Sequence, residues 1–74
     1  MKGLLLEVGR VVKVRDDLRV GYCYYNEEGD DFEIFTEDMV DTMGKEYLIL
    51  KKEENGGMIL NYTGCLYTYE MLEH

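Results

Sequence analysis

Apolar and polar residues alternate cleanly in one short stretch of this chain: Val12 and Val14 face one way, Lys13 and Arg15 the other, the period-two pattern of a half-buried strand. Asp16-Asp17 interrupts it. From Leu18 to Asp31 no period is sustained. Gly21, Gly29 and a Tyr22-Cys23-Tyr24-Tyr25 cluster make this a long excursion, with an irregular hairpin as its most regular form. Phe32-Glu33-Ile34-Phe35 is a short extended piece. Thr36 to Met43 reads as a brief helix, with Met39 and Met43 on one face and Gly44 placed as its C-terminal cap. Two apolar-rich runs, Lys45 to Lys52 and Met58 to Thr63, flank Glu53-Glu54-Asn55-Gly56-Gly57. Strand, Asn-Gly turn, strand is the strongest hairpin signal here. Within the first run Tyr47 and Ile49 oppose Leu48 and Leu50, so the period alone does not decide which pair faces inward. Gly64 permits a bend into a short strand, Cys65 to Tyr67.

The pattern also repeats itself. Phe35-Thr36-Glu37-Asp38-Met39 returns as Tyr67-Thr68-Tyr69-Glu70-Met71: an aromatic, a Thr, two residues ending in an acid, then Met. Each copy predicts a strand that closes on its aromatic. The Thr hydroxyl would cap the orphan N–H groups of a short helical turn, the acid would sit at the positive end of the turn, and the Met would return to the core. Val12, Val14, Phe35, Met39, Ile49, Leu60, Tyr67 and Met71 are the expected core.

At 74 residues the chain reads as a single domain spanning 1–74. A domain of this size buries only about 60% of its unfolded surface. The longest apolar run at the start, Leu4-Leu5-Leu6, is far short of a membrane span and lacks a cleavage site of small residues after it, so a cytoplasmic protein is expected. Cys23 and Cys65 have no His or Cys neighbours, which fits neither zinc nor a redox pair; they read as reduced, partly buried small hydrophobes. Leu72-Glu73-His74 matches the way many affinity-tagged chains end, and His74 is given no role.

The net charge of −8 is concentrated. Between Asn26 and Met43 lie Glu27, Glu28, Asp30, Asp31, Glu33, Glu37, Asp38 and Asp41, with no base among them. Such a block repels phosphates and attracts basic surfaces, so nucleic-acid binding is not expected and a basic partner is. The acids lack the spacing of a calcium-binding loop, and no metal or other cofactor is expected. The only histidine is the terminal one, so the usual general base is missing, and no glycine-rich phosphate-binding pattern occurs; the chain is expected not to be an enzyme. That leaves the tyrosines. Tyr22, Tyr24 and Tyr25 beside Glu27, Glu28, Asp30 and Asp31 form the candidate partner-binding set, although alternation should bury part of the trio.

Several pieces occur in a telling order: Val8-Gly9, Val12-Lys13-Val14-Arg15 with Asp17-Leu18 and Val20-Gly21, Phe35-Thr36-Glu37-Asp38-Met39, Gly44-Lys45-Glu46, and Gly64 followed by Tyr67 to Leu72. In them the chain resembles a family of short uncharacterised proteins encoded by phages and conjugative elements of Gram-positive bacteria. The resemblance implies a mainly β fold, a small SH3-like barrel of about five strands with one or two short helical turns, similar in outline to the SH3-type repeats of mind bomb ubiquitin ligases. It implies no activity. Where relatives carry tryptophans before the last corner this chain has Cys65 and Tyr67, and it has no Trp. The function expected is a monomeric protein-interaction module binding a basic or proline-containing protein segment, without membrane or nucleic-acid partners. An acidic nucleic-acid mimic that inhibits a host DNA-handling protein is the alternative.

Overall fold

The computed structural model describes residues 6–73. Within them, six strands and two 3-10 turns make the fold mainly β. Strands β1 (Val11–Lys13), β4 (Glu46–Lys52), β5 (Met58–Leu60) and β6 (Leu66–Tyr67) form an antiparallel sheet in the order β1-β4-β5-β6, while β2 (Cys23–Tyr25) and β3 (Phe32–Ile34) form a second, two-stranded sheet. The strand count exceeds the five expected because the excursion after Leu18 folds back as the β2–β3 hairpin, with Cys23 opposite Ile34 and Tyr25 opposite Phe32. The β4–β5 hairpin forms where the Asn-Gly turn placed it. Its second strand stops at Leu60 rather than Thr63, because Tyr62 turns to a φ of 68° and the Thr63 hydroxyl bonds back to the Leu60 carbonyl at 2.9 Å.

All eight residues expected in the core are buried in one cluster, together with Leu6, Leu18, Met58 and Leu72. Each large apolar side chain so buried contributes roughly 1.5–3 kcal/mol, which suits a small domain whose net stability is the residue of large opposing terms. On β4 the core takes Ile49 and leaves Leu50 exposed; the register shifts between Ile49 and Lys51, so the strand's alternation is broken where its apolar run was ambiguous. Leu72 is fully buried and bridged to Val14, and the Glu73 N–H reaches the Lys13 carbonyl at 2.8 Å. Leu72 and Glu73 are therefore part of the fold, contrary to their tag-like composition, and His74 lies outside the described residues.

The two corners are alike in three dimensions. η1 (Glu37–Thr42) and η2 (Tyr69–Met71) start from Thr36 and Thr68, whose φ, ψ values are −110°, 168° and −113°, 170°. In each, the Met N–H donates to the Thr carbonyl at 3.0 Å. Phe35 and Tyr67 lead both aromatics into the core, and Met39 and Met71 follow. The hydroxyls depart from expectation, since neither makes a side-chain cap bond. Thr36 nevertheless stands in a capping box with Met39: its side chain faces the Met39 N–H, and its own N–H donates to the Met39 Sδ at 3.4 Å. Thr68 spends its hydroxyl on the Tyr24 carbonyl at 2.9 Å, which ties the last corner to the second sheet. Gly44, at φ 77°, ends η1 in the left-handed conformation a glycine cap supplies.

Candidate protein-binding surface

The β2–β3 hairpin is positioned by its inner face. Tyr24 points inward, its ring edge-on to Phe35 at 6.4 Å and its hydroxyl accepting the Arg19 N–H at 2.8 Å. Along the outer side of β2 the Tyr25 N–H donates to a Glu70 carboxylate oxygen at 2.8 Å, so η2 covers that edge. The outward face is apolar. By strand alternation Cys23, Tyr25, Phe32 and Ile34 share it, and Tyr25, Phe32 and Ile34 are 41–47% exposed. Tyr25 and Phe32 face each other across the pair with ring centroids 5.5 Å apart. A cross-strand aromatic pair of this kind stabilises a hairpin and at the same time presents a broad apolar plate.

Beyond the plate, the turn joining β2 to β3 is organised by Asn26, which is almost wholly buried. Its Oδ1 accepts the N–H groups of Gly29 (2.7 Å) and Asp30 (3.1 Å), and its Nδ2 donates to Asp30 Oδ1 (2.9 Å) and to the carbonyl of Asn55 in the β4–β5 turn (2.6 Å). Asn55 answers by donating from its own Nδ2 to Asp31 Oδ2 at 2.9 Å. The backbones come close here: a Cβ on Gly56, whose φ is 91°, would lie 3.0 Å from that of Asn26. Two hairpin turns distant in sequence are thus knotted together. Glu53 and Glu54 join Glu27 and Glu28 around an open cleft of about 160 Å³.

The structure therefore divides the sequence-selected set. Tyr22 and Tyr25 are exposed, Tyr24 is half-buried against the core, and Glu27 and Glu28 are exposed. Asp30 and Asp31 serve the Asn26 knot as acceptors. Sequence reasoning missed Phe32 and Ile34, which the outward face adds, and Glu53 and Glu54, which the knot brings to the acidic end. Cys23 and Cys65 are free thiols. Cys23 is exposed rather than partly buried, while Cys65 packs on the core, where burial, with a smaller contribution from Asp38, pushes its thiol pKa up. Tyr67 fills the core and bonds Thr42 Oγ1 through its hydroxyl at 2.8 Å, and Tyr69 is half-buried against the same cluster. Among the described residues no group of three or more His, Cys, Asp or Glu is placed to hold a metal ion, and no helix is long and apolar enough to cross a membrane.

No protein-family model, curated protein or solved structure matches this chain. The functional reading rests on the surface itself.

Proposed function

We propose that this protein is a non-enzymatic interaction module, SH3-like in fold and encoded by a mobile genetic element, that holds a basic or proline-containing protein segment against its β2–β3 hairpin. The observation that carries the reading is the juxtaposition of an exposed apolar plate, Tyr25, Phe32 and Ile34, with the acidic tips of two knotted turns. Desolvated aromatics supply most of the affinity at such surfaces, and rim charges supply encounter rate and partner choice. The barrel assignment is supported by the bridge from Val14 to Leu72, which joins the end of β1 to the segment after η2, and by the bond from Thr68 to Tyr24, which links the last corner to the second sheet. A nucleic-acid mimic would need carboxylates in rows over a face. Here Glu27, Glu28, Asp30, Asp31, Glu53 and Glu54 gather at one end.

The test is titration with two synthetic peptides, one alternating Lys and Val, one alternating Arg and Pro, followed by amide shifts and by stopped flow. Replacing Tyr25 and Phe32 by Ser should speed dissociation about tenfold or more. Neutralising Glu27, Glu28, Glu53 and Glu54 as Gln should slow association at low salt and have little effect at high salt. Failure of both peptides to bind, or binding indifferent to both sets of changes, refutes the reading.

A further inference from the structure

The hydrogen-bond phase of the hairpin fixes which main-chain groups of β3 face away from β2. The Phe35 N–H donates to the Tyr22 carbonyl and the Asn26 N–H to the Asp31 carbonyl, at 3.0 and 2.9 Å. Pairing alternates along an antiparallel ladder, so Tyr24 and Glu33 form the bonded pair between them. Phe32 and Ile34 are then out of phase, and their N–H and C=O groups point to the far side of β3. Tyr25, opposite Phe32, obeys the same rule on its own side, where its N–H finds Glu70. Among the described residues no strand pairs with the far side of β3. The Phe32 N–H is held by the neighbouring Asp31 carboxylate at 2.8 Å, which leaves the Phe32 carbonyl and both Ile34 groups facing outward.

We infer that the partner segment adds to this edge as an extra antiparallel strand, and that it alternates apolar and basic residues. This rests on the binding role proposed above for the hairpin and specifies how the segment is held. Residues of an added strand opposite Phe32 and Ile34 share their outward face and extend the apolar plate. The residue between them lies opposite Glu33 and the one beyond Phe32 opposite Asp31, and cross-strand pairs of opposite charge are favourable whereas like charges directly opposite are not. The same acids disfavour a second copy, because two β3 edges meeting antiparallel would bring Glu33 and Asp31 against their counterparts on a chain whose net charge is −8. An inward-pointing charge on an open edge is a common guard against self-pairing; a basic strand turns that guard into an attraction. A proline-rich helix has no alternating donors to offer the edge, so the extended peptide is the occupant.

The experiment uses the whole chain and varies the peptide, so that folding is not at issue. Three acetylated alternating Lys-Val heptapeptides are compared: unmodified, N-methylated at every Val, and N-methylated at every Lys. The Val amides are those that would donate to the Phe32 and Ile34 carbonyls. Their methylation should weaken binding about fivefold for each hydrogen bond lost, methylation at Lys should leave it nearly unchanged, and the unmodified peptide should slow hydrogen exchange of the Ile34 amide. Equal loss or equal tolerance in the two methylated series overturns strand addition while leaving the hairpin as the binding surface. Binding of the Arg-Pro peptide alone does the same. A peptide-independent dimer protecting the Ile34 amide names a second copy as the occupant and also overturns the inference. Silence of every peptide overturns the hairpin reading itself.

Discussion

Replacing Asn26 by Ala should loosen the acidic end of the molecule and destabilise the whole domain. The side chain makes four hydrogen bonds, two that close its own turn and two to Asp30 and Asn55. A bond of this kind is worth roughly 0.5–1.5 kcal/mol net, and a buried group left without a partner costs about 1–3 kcal/mol. Gly29, Asp30 and Asn55 all lie in exposed turns, where water can replace part of what the Asn26 side chain supplies. Together these give an expected loss of about 2–3 kcal/mol. In a domain of this length that corresponds to a fall in Tm of about 10–20 °C. Urea unfolding followed by far-UV circular dichroism measures it, tyrosine fluorescence serving as the second probe in a chain without Trp. Asn26→Asp separates the donor half from the acceptor half: it keeps the acceptor, loses both donors and places a carboxylate beside Asp30 and Asp31. Like charges raise the folded-state pKa of the introduced group above its unfolded value of about 4, so its penalty should be full near neutrality and should fade as the pH falls through the raised value toward about 4. A loss under about 0.5 kcal/mol for Asn26→Ala would refute the view that this residue holds the two turns together.

Met39 is buried at the first corner, so Met39→Ala should cost about 2–5 kcal/mol in the same unfolding assay. Thr68→Val should cost about 1 kcal/mol, through the lost bond to the Tyr24 carbonyl. Thr36→Ala, which opens the capping box with Met39 at an exposed hydroxyl that makes no full cap bond, should cost about 0.5 kcal/mol; a cost of about 2 kcal/mol or more would show a full cap there. Tyr67→Phe removes the hydroxyl bond to Thr42 and should cost about 1 kcal/mol at neutral pH. Burial raises the Tyr67 pKa, so the native state favours the neutral phenol: its stabilising effect is present below about pH 10 and is lost as the pH rises through the higher folded-state value. The variant should lack that part of the alkaline decline, which urea midpoints between pH 8 and 11 would register.

The parts of the fold legible in the sequence are those decided by neighbours along the chain. The alternation at Val12 and Val14, the Asn55-Gly56 turn and the doubled aromatic-Thr-x-x-Met corner are local signals, and each marks an element whose core residues are buried. Tertiary contacts decided the rest, since they set competition between groups far apart in sequence. Both threonines have the local chemistry of a cap, yet the Thr68 hydroxyl is drawn to a carbonyl on another sheet. Asp30 and Asp31 read as partner-binding acids, but Asn26 and Asn55 meet across the two turns and take their carboxylates as acceptors. Tyr22, Tyr24 and Tyr25 are alike in composition, but the register of β2 against β3 turns Tyr24 inward and leaves Tyr25 beside Phe32 on the open face. A one-residue change of register would reverse that face without altering a single local preference. The sequence by itself therefore determined which segments extend, turn and supply the core. Only packing decided which side of the hairpin meets solvent, because the energy that selects that side comes from contacts made after the elements exist.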